Sequence, residues 1–282
     1  AAQGGEIMIL TIDCGNSNIC FAVHEDDTIA PLFLERIHTD RNFTREVLIQ
    51  DLQMILRLHG LSPDGITRAV LSSVVPQLTE VLRDAAAAVI GRDVLVVDYR
   101  LNLAFDNLME KPETAGQDIL SDISGALSLS DAPVITIDMG TATVFSIVTP
   151  PGYEETRTGK KRKGRKCSDR PAFSGVMILP GVRTSLDSLT LGTSALPGIS
   201  LKAPDRATGK NTTDSMKSGL VFGTAEMIDH MLDRIERETG LQFKVFATGG
   251  LSPFIVPYVR HEITLDTELL MKGLFSILQQ NP

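Results

Sequence analysis

Two short segments of the chain combine an aspartate, a glycine and small hydrogen-bonding side chains at the same spacing. The first contains Asp13 and Gly15, and the second contains Asp138 and Gly140. Glycine permits a turn with positive φ and a close approach of the backbone to a ligand, so the N–H groups and hydroxyls of such a turn can surround phosphate oxygens. A carboxylate at the end of the preceding strand can hold hydrated Mg²⁺, which takes one or two carboxylates and keeps several waters.

The two segments form a weak internal repeat, because each follows one apolar strand and precedes another. A single Asp-x-Gly turn is more often structural than catalytic. Here the turn is duplicated in corresponding places of two halves. This duplication favours a site in which the two turns bind one polyphosphate from opposite sides. The expected nucleotide-binding residues are Asp13, Gly15, Asn16, Ser17 and Asn18 in the first copy and Gly140 and Thr141 in the second, with Asp13 and Asp138 as metal ligands.

A third glycine-containing turn follows a later apolar strand. Gly249 and Gly250 stand directly after Ala247 and Thr248. Paired glycines at the end of a strand would let an adenosine lie against the backbone. On its own this turn is equally well explained as an ordinary connection between a strand and a helix, and the two phosphate turns are what favour a nucleoside site.

The elements that must position these turns alternate between strands and helices, which predicts an α/β fold. Apolar runs predict strands over residues 7–12, 19–23, 31–37, 69–73, 94–97, 134–138, 144–148, 173–179 and 243–247. Helical spacing of apolar residues predicts helices over 44–58, 77–90, 118–129, 213–238 and 267–279. We expect two similar domains, 7–115 and 116–282, and no Pro/Ser-rich linker separates them, so they should pack around a cleft.

Composition narrows the class of protein. The 282 residues carry a net charge of −8, which argues against a general nucleic-acid coat. The three cysteines lack the spacing of a zinc site, which indicates a reducing compartment. The sequence contains no run of about 18 apolar residues, so we expect no membrane-spanning helix. Together these features predict a cytoplasmic location. The chain lacks the GxxxxGK[ST] loop of P-loop kinases and a GxGxxG dinucleotide fingerprint after its first strand.

The three turns together resemble the actin, sugar-kinase and heat-shock ATPase superfamily. That resemblance implies two ribonuclease-H-like domains, as in actin-like ATPases, with a nucleotide cleft between them. Nearly the whole chain from Ile7 also resembles the type III pantothenate kinases. The segments that carry this second resemblance are Asp13–Asn18, Arg36–Arg41, Leu71–Pro76, Asp138–Thr143, Leu179–Val182, Gly209–Thr212, Ser218-Gly219 and Ala247–Gly250.

The family resemblance implies an activity and its cofactors. These kinases transfer the γ-phosphoryl group of ATP to the terminal hydroxyl of pantothenate, the first step towards coenzyme A. By resemblance, Asp13 would position Mg²⁺, Thr141 would touch the ATP phosphates, and Asp138 would help bind a monovalent cation, K⁺ or NH₄⁺. Thr212 would reach the substrate across the interface of a homodimer.

By the same resemblance, Asp118 is the candidate catalytic base. The family places its base in a Gly-Ala-Asp-Arg motif, and this chain has Gly116, Gln117, Asp118 and Ile119 there. A carboxylate near the attacking hydroxyl can accept its proton while the metal and the hairpin donors stabilise the phosphoryl charge. The alternative is that Asp118 only favours the start of a helix, where a negative charge is stabilising.

The acceptor half of the motif set departs from the family. Ile119 replaces an arginine that helps to bind pantothenate, and loss of a charge-assisted hydrogen bond costs about 1.5–3 kcal/mol. Met109 stands where relatives have a substrate-contacting tyrosine, and Phe105 is an alternative if the loop is shifted. These departures leave two other functions open: a non-catalytic or regulatory nucleotide-binding relative, and a kinase for a different small acceptor.

A basic insert at residues 154–171 replaces a short hairpin of the relatives. Eight of the 27 lysines and arginines lie between residues 157 and 170. Such a block is usually a solvated loop. It could instead bind nucleic acid, an acidic protein or an acidic lipid, or supply positive charge near the acceptor. Because no aromatic residues are interleaved in it, stacking on single-stranded nucleic acid is disfavoured.

Overall fold

The computed structural model describes residues 7–153, 168–191 and 200–282, which form two compact units. Unit 1 contains the described residues up to Leu129 and those from Glu268 onwards, and unit 2 contains those between Ser130 and Thr267. Each unit has its own sheet and helices, so the prediction of an α/β fold is confirmed. Most of the basic insert, residues 154–167, lies outside the described residues.

Unit 1 is built around a five-stranded sheet. Its strands are β1 Met8–Cys14, β2 Asn18–Glu25, β3 Phe33–His38, β4 Ile66–Ser73 and β5 Val94–Val96. The two-residue β6 Asp106–Asn107 follows in the chain but is not part of this sheet. Its helices are α1 Arg45–Leu58, α2 Pro76–Ile90, α3 Gln117–Leu129 and, from the end of the chain, α7 Leu269–Gln280. The sheet order is β3-β2-β1-β4-β5; β1, β2 and β3 are antiparallel neighbours, while β4 and β5 are parallel to β1.

Unit 2 repeats this arrangement. Its strands are β7 Val134–Met139, β8 Ala142–Thr149, β9 Ala172–Pro180, β10 Lys244–Thr248 and β11 Ile263–Leu265. Its helices are α4 Val182–Leu191, α5 Thr212–Thr239 and the short α6 Ser252–Ile255. The order β9-β8-β7-β10-β11 has the same antiparallel and parallel pairings as β3-β2-β1-β4-β5, so the repeat in the sequence reflects a duplicated topology.

The helix ends follow local sequence signals. Pro76 occupies the first turn of α2, and Gly91, with a φ of +67°, ends that helix in the left-handed conformation. Asn211 caps α5 by accepting a hydrogen bond from the N–H of Asp214, and Gly240, at a φ of +69°, ends it. The predicted helices and strands are confirmed, whereas β6, α4, α6 and β11 were not predicted, because short elements carry too few residues to show a period.

We expected the boundary between the two domains near residue 115, but the first unit extends to Leu129 and includes the last helix. The reason is that α3 packs against α7. A Cβ atom built on Gly125 would lie 2.3 Å from the carbonyl oxygen of Leu269, and one on Gly273 would lie 1.8 Å from that of Ser121. The two helix backbones therefore touch, which only glycine permits. Since α7 also contacts β1 and β4, both helices belong to unit 1. Among the described residues, none of the helices combines the length and apolar character that a membrane crossing requires.

His24 is a fully buried titratable group in unit 1. Its Nδ1 lies 2.9 Å from the carbonyl oxygen of Ile29, so this nitrogen must carry the proton, and Nε2 lies 3.1 Å from the hydroxyl of Thr11. The ring also packs against Phe275, with a centroid separation of 5.1 Å. Burial disfavours the imidazolium form and lowers the pKa of His24 to about 4.

We expect the stability of unit 1 to fall between pH 7 and pH 5 because of His24. The unfolded chain binds a proton at this residue near pH 6.5 and the folded chain only near pH 4, so stability is full above the unfolded pKa and is lost as the pH falls. The loss at pH 5 should be about 2 kcal/mol. His24→Gln, which has no ionisable group, should show a correspondingly weaker pH dependence in urea unfolding. Equal pH dependence in both proteins would contradict this expectation.

Candidate active site

The predicted first turn is a tight hairpin between β1 and β2. The N–H of Gly15 donates to the carbonyl oxygen of Asn18 at 2.9 Å, which leaves Asn16 and Ser17 as a two-residue tip. The expectation of a positive φ is wrong here, because neither Gly15 nor Gly140 adopts one. At Gly15 the constraint is space: a Cβ atom would lie 3.3 Å from the oxygen of Asn18.

The segment after β3 braces this hairpin. The hydroxyl of Thr39 donates to the carbonyl oxygen of Gly15 at 2.8 Å, and its N–H donates to that of Ser17 at 3.0 Å. The guanidinium of Arg41 donates to the side-chain oxygen of Asn16 at 3.3 Å. We did not predict Thr39 as a site residue, although it lies within one of the segments that carry the family resemblance.

Two thiols, of which Cys14 is buried and Cys20 half-buried, flank the first aspartate. Asp13 stands opposite Cys20 on β2, and Cys14 follows it on β1. Burial, reinforced by the charge of Asp13, raises the pKa of each thiol to about 11. Both thiols therefore stay neutral at pH 7.

The second turn joins β7 and β8 in unit 2. The N–H of Gly140 donates to the carbonyl oxygen of Ala142 at 3.0 Å. The carbonyl oxygen of Thr141 accepts two hydrogen bonds, from the N–H of Gly181 at 3.2 Å and from the hydroxyl of Thr184 at 2.7 Å. A Cβ atom on Gly181 would lie 2.4 Å from that oxygen, so only glycine allows the strand β9 and the helix α4 to meet the hairpin here.

The paired glycines after β10 lie against the second turn. Thr248 stands beside Asp138 in the parallel register of β10 and β7. Gly249 has a φ of +88°, and its Cβ atom would lie 2.4 Å from Oδ1 of Asp138 and 2.7 Å from the backbone of Met139. Gly250 has open space instead. The structure therefore brings Asp138 and Gly249 together.

The candidate base lies in the first turn of α3. Burial raises the pKa of Asp118, while the N–H of Ile119, which donates to Oδ1 at 2.8 Å, opposes the rise. A Cβ atom on Gly116 would lie 2.3 Å from the same oxygen, so any side chain at position 116 would displace the carboxylate. The position of Asp118 is thus set by the missing side chain of its neighbour.

The start of α3 is tied to the end of β4. The side-chain oxygen of Gln117 accepts the N–H of Ser73 at 2.7 Å, and Ser73 is the parallel partner of Cys14 at the end of β1. Unit 1 therefore holds Asp118 near the strand ends that carry the first hairpin. Gln117, which we predicted as a substrate contact, has its acceptor oxygen engaged by the backbone.

The other predicted acceptor residues occupy different environments. The N–H of Met109 donates to the side chain of Asn107 at 3.1 Å, and its side chain is half-buried. Phe105 is 3% exposed, so it packs in the interior and does not replace the missing tyrosine at a surface. In unit 2, Thr212 starts α5 and helps to line an open pocket of about 610 Å³. The other residues of this pocket are Gly209, Lys210, Asn211, Ser215 and Met216.

The acidic side chains of the described residues do not form a metal cage. Within those parts of the chain, no group of three or more histidine, cysteine or acidic residues could hold an ion. Asp138 instead faces two glycines, because a Cβ atom on Gly140 would lie 3.3 Å from its Oδ2 and one on Gly249 would lie 2.4 Å from Oδ1. Single carboxylates in such glycine-lined surroundings suit a cation whose remaining ligands are phosphate oxygens and water.

Comparisons with known proteins agree with these features. A family model described as type III pantothenate kinase matches residues 9–154 and 167–234. A type III pantothenate kinase from Paramagnetospirillum magneticum is 32% identical over 275 residues, which cover 97% of this chain and 98% of that protein. One from Caulobacter vibrioides is 30% identical over 277 residues, covering 98% of each.

A likeness among solved structures concerns the fold. The structure of Plasmodium falciparum glycerol kinase with ADP matches with a TM-score of 0.52 and 9% identity, covering 98% of this chain and 89% of that chain. The expected actin-like, sugar-kinase-like fold is thereby confirmed.

Gly249 and Gly250 provide a matched pair for a stability test. Gly249→Ala should lower the free energy of unfolding by at least about 2 kcal/mol, because a side chain there is strained by the positive φ and collides with Asp138 and Met139. Gly250→Ala, which meets open space, should change it by less than about 1 kcal/mol. Urea unfolding of both variants measures the difference. Equal destabilisation would show that Gly249 does not pack against the second turn in this way.

Proposed function

Because this chain belongs to the type III pantothenate kinase family, we propose that it transfers the γ-phosphoryl group of ATP to the terminal hydroxyl of pantothenate. The observation that carries the proposal is the position of Asp118. Its carboxylate is desolvated at the start of α3, and the bond from Ser73 to Gln117 ties that helix to the strand next to the first hairpin. This arrangement supports the proposal, because the candidate base lies in the same unit as the first hairpin.

Asp118 acts as the general base in this reaction. It accepts the proton of the attacking hydroxyl as the bond to phosphorus forms, and desolvation increases its proton affinity. The phosphoryl group itself requires positioning and charge stabilisation more than covalent help from the protein. The two hairpins supply backbone and hydroxyl donors for this purpose, with Thr141 at the tip of the second.

The carboxylates Asp13 and Asp138 fit the cations of such a kinase. Asp13 would position Mg²⁺, which neutralises phosphate charge when it is bound with ATP. Asp138 would help to hold K⁺ or NH₄⁺ beside the glycines that line it. Both assignments agree with carboxylate oxygens as ligands of these cations, and the thiols beside Asp13 are neutral.

The remaining contacts divide between nucleotide and acceptor. Gly15, Asn16, Ser17, Asn18 and Gly140 would hold the phosphates, and Gly249 and Gly250 the nucleoside. Gly116, Gln117, Ile119, Met109 and Thr212 would surround the acceptor. We also propose that the enzyme is a homodimer, in which the open pocket at Thr212 completes the acceptor site of the partner, and that it works in the cytoplasm.

A kinase for a different, uncharged acceptor is the second candidate function. One observation favours it: Ile119 offers no charged donor for a carboxylate. A regulatory relative without turnover would share the same departures. These alternatives differ from the leading proposal in the acceptor half of the site alone.

Asp118→Asn separates a catalytic role from a structural one. The amide keeps the shape and the bond from Ile119 but cannot accept the proton, so turnover should fall by about 10²- to 10⁴-fold. A carboxylate whose pKa is raised destabilises the fold once it ionises, so the variant should be at least as stable as the wild type at pH 7. ADP release with pantothenate and thermal unfolding are the two measurements. Near-normal turnover would remove Asp118 from the role of base.

Ile119→Arg tests the identity of the acceptor. If the acceptor is pantothenate, a guanidinium at this position should lower its KM about tenfold, because a charge-assisted hydrogen bond to the carboxylate is regained. The KM for ATP should not change. Ile119→Leu, which keeps the volume without charge, is the matched control. If Arg leaves the pantothenate KM as high as Leu does, while an uncharged hydroxyl compound is phosphorylated faster, the second candidate function is favoured.

A further inference from the structure

A threonine hydroxyl donates to a backbone carbonyl at the tip of each phosphate hairpin, and the two carbonyls are one residue apart in the register of the repeat. In unit 1, the hydroxyl of Thr39 donates to the carbonyl oxygen of Gly15 at 2.8 Å. In unit 2, the hydroxyl of Thr184 donates to the carbonyl oxygen of Thr141 at 2.7 Å. Each tip is thus held by a threonine hydroxyl from another part of its own unit.

These two threonines occupy corresponding places in the duplicated topology. Thr39 directly follows β3, and Thr184 lies in the first turn of α4, which follows β9. The strands β3 and β9 are the third strands of the two antiparallel series. A threonine bond to the hairpin tip therefore occurs in both units, to a carbonyl one residue further along in unit 2, although the two segments share no sequence pattern around these residues.

A backbone N–H reinforces each contact. The N–H of Thr39 donates to the carbonyl oxygen of Ser17 at 3.0 Å, and the N–H of Gly181 donates to that of Thr141 at 3.2 Å. Two hydrogen bonds from one following segment thus hold the tip in each unit. In unit 1 the two bonds reach different carbonyls, whereas in unit 2 both reach the carbonyl oxygen of Thr141. A peptide held in this way has little freedom to rotate its plane.

Fixing a carbonyl also fixes the N–H of the same peptide. The peptide unit is planar and trans, so its C=O and N–H point in opposite directions. When Thr39 holds the oxygen of Gly15, the N–H of Asn16 is directed away from Thr39. When Thr184 holds the oxygen of Thr141, the N–H of Ala142 is directed away in the same manner. Backbone N–H groups with fixed directions are effective donors to phosphate oxygens.

We propose that Thr39 and Thr184 are positioning residues for ATP, each orienting one hairpin peptide, Gly15–Asn16 and Thr141–Ala142, towards the phosphates. The proposal rests on the proposed function only in its requirement for a bound nucleoside triphosphate. It does not depend on the acceptor. Thr39 has the larger effect, because it is 8% exposed and water cannot replace its hydroxyl, whereas Thr184 is exposed.

The test replaces each threonine by valine, which has nearly the same shape and no hydroxyl. The probe is a non-hydrolysable ATP analogue with an imido group between the β- and γ-phosphates, titrated by calorimetry in the presence of Mg²⁺. Thr39→Val should weaken its binding about 5- to 20-fold and Thr184→Val about 2- to 5-fold. Because each residue acts on its own hairpin, the two factors should multiply in the double variant.

Matched controls come from the opposite ends of the same sheets. The hydroxyl of Thr67 donates to the carbonyl oxygen of Met8 at 3.4 Å in unit 1, and that of Thr149 donates to that of Ala172 at 3.4 Å in unit 2. Thr67→Val and Thr149→Val remove the same kind of bond away from the hairpins and should leave binding unchanged. Thr39→Ser and Thr184→Ser keep the hydroxyl and should restore most of the affinity.

Steady-state kinetics give a second readout. The KM for ATP should rise in the valine variants by the factors seen in binding, while the KM for pantothenate stays constant. Valine variants that lose folding stability but bind the analogue like the wild type would overturn the proposal, as would losses of equal size in the two controls.

Failure of the proposed function gives a different result. If the wild type binds the analogue but does not phosphorylate pantothenate, the acceptor assignment is wrong, and the calorimetric comparison still decides the role of the threonines. If the wild type does not bind the analogue, both proposals are overturned.

Discussion

The tight turn after the central strand of each sheet is the constraint on which the rest of the site depends. β1 and β7 are each paired with an antiparallel neighbour that follows within a few residues, so the chain reverses directly beyond Asp13 and Asp138. Such a reversal leaves little room around the aspartates. Glycines satisfy this condition at Gly181 and Gly249, where a Cβ atom would meet backbone or carboxylate atoms at 2.4 Å.

Close packing at the turns also determines the electrostatics of the site. Beside Asp13, Cys14 is buried and Cys20 is half-buried, and desolvation keeps both thiols protonated. The same effect raises the pKa of Asp118 on α3. Desolvation therefore keeps the thiols beside Asp13 neutral and increases the proton affinity of Asp118.

The sequence was sufficient to predict the fold class, the long helices and strands, and the positions of the two turns. These depend on local patterns, since apolar periodicity and glycines are visible within short windows. The hydrogen bonds that hold the hairpins and the start of α3 could not be predicted, because each joins residues far apart in the sequence. Thr39 and Gly15 are 24 positions apart, Thr184 and Thr141 are 43 apart, and Gln117 and Ser73 are 44 apart. The backbone conformation at Gly15 could not be predicted either. Its φ is not positive, and the position is restricted by the space available for a side chain.

The contact between α3 and α7 has a consequence for how the protein is made. α7 lies at the far end of the chain from β1 and β4, which it covers, and all of unit 2 comes between them. During translation, unit 2 can complete its sheet while the first sheet still exposes the apolar surface that α7 will cover. The nascent chain must keep this surface from aggregating until α7 has left the ribosome, and the first half of the kinase is therefore the last to mature.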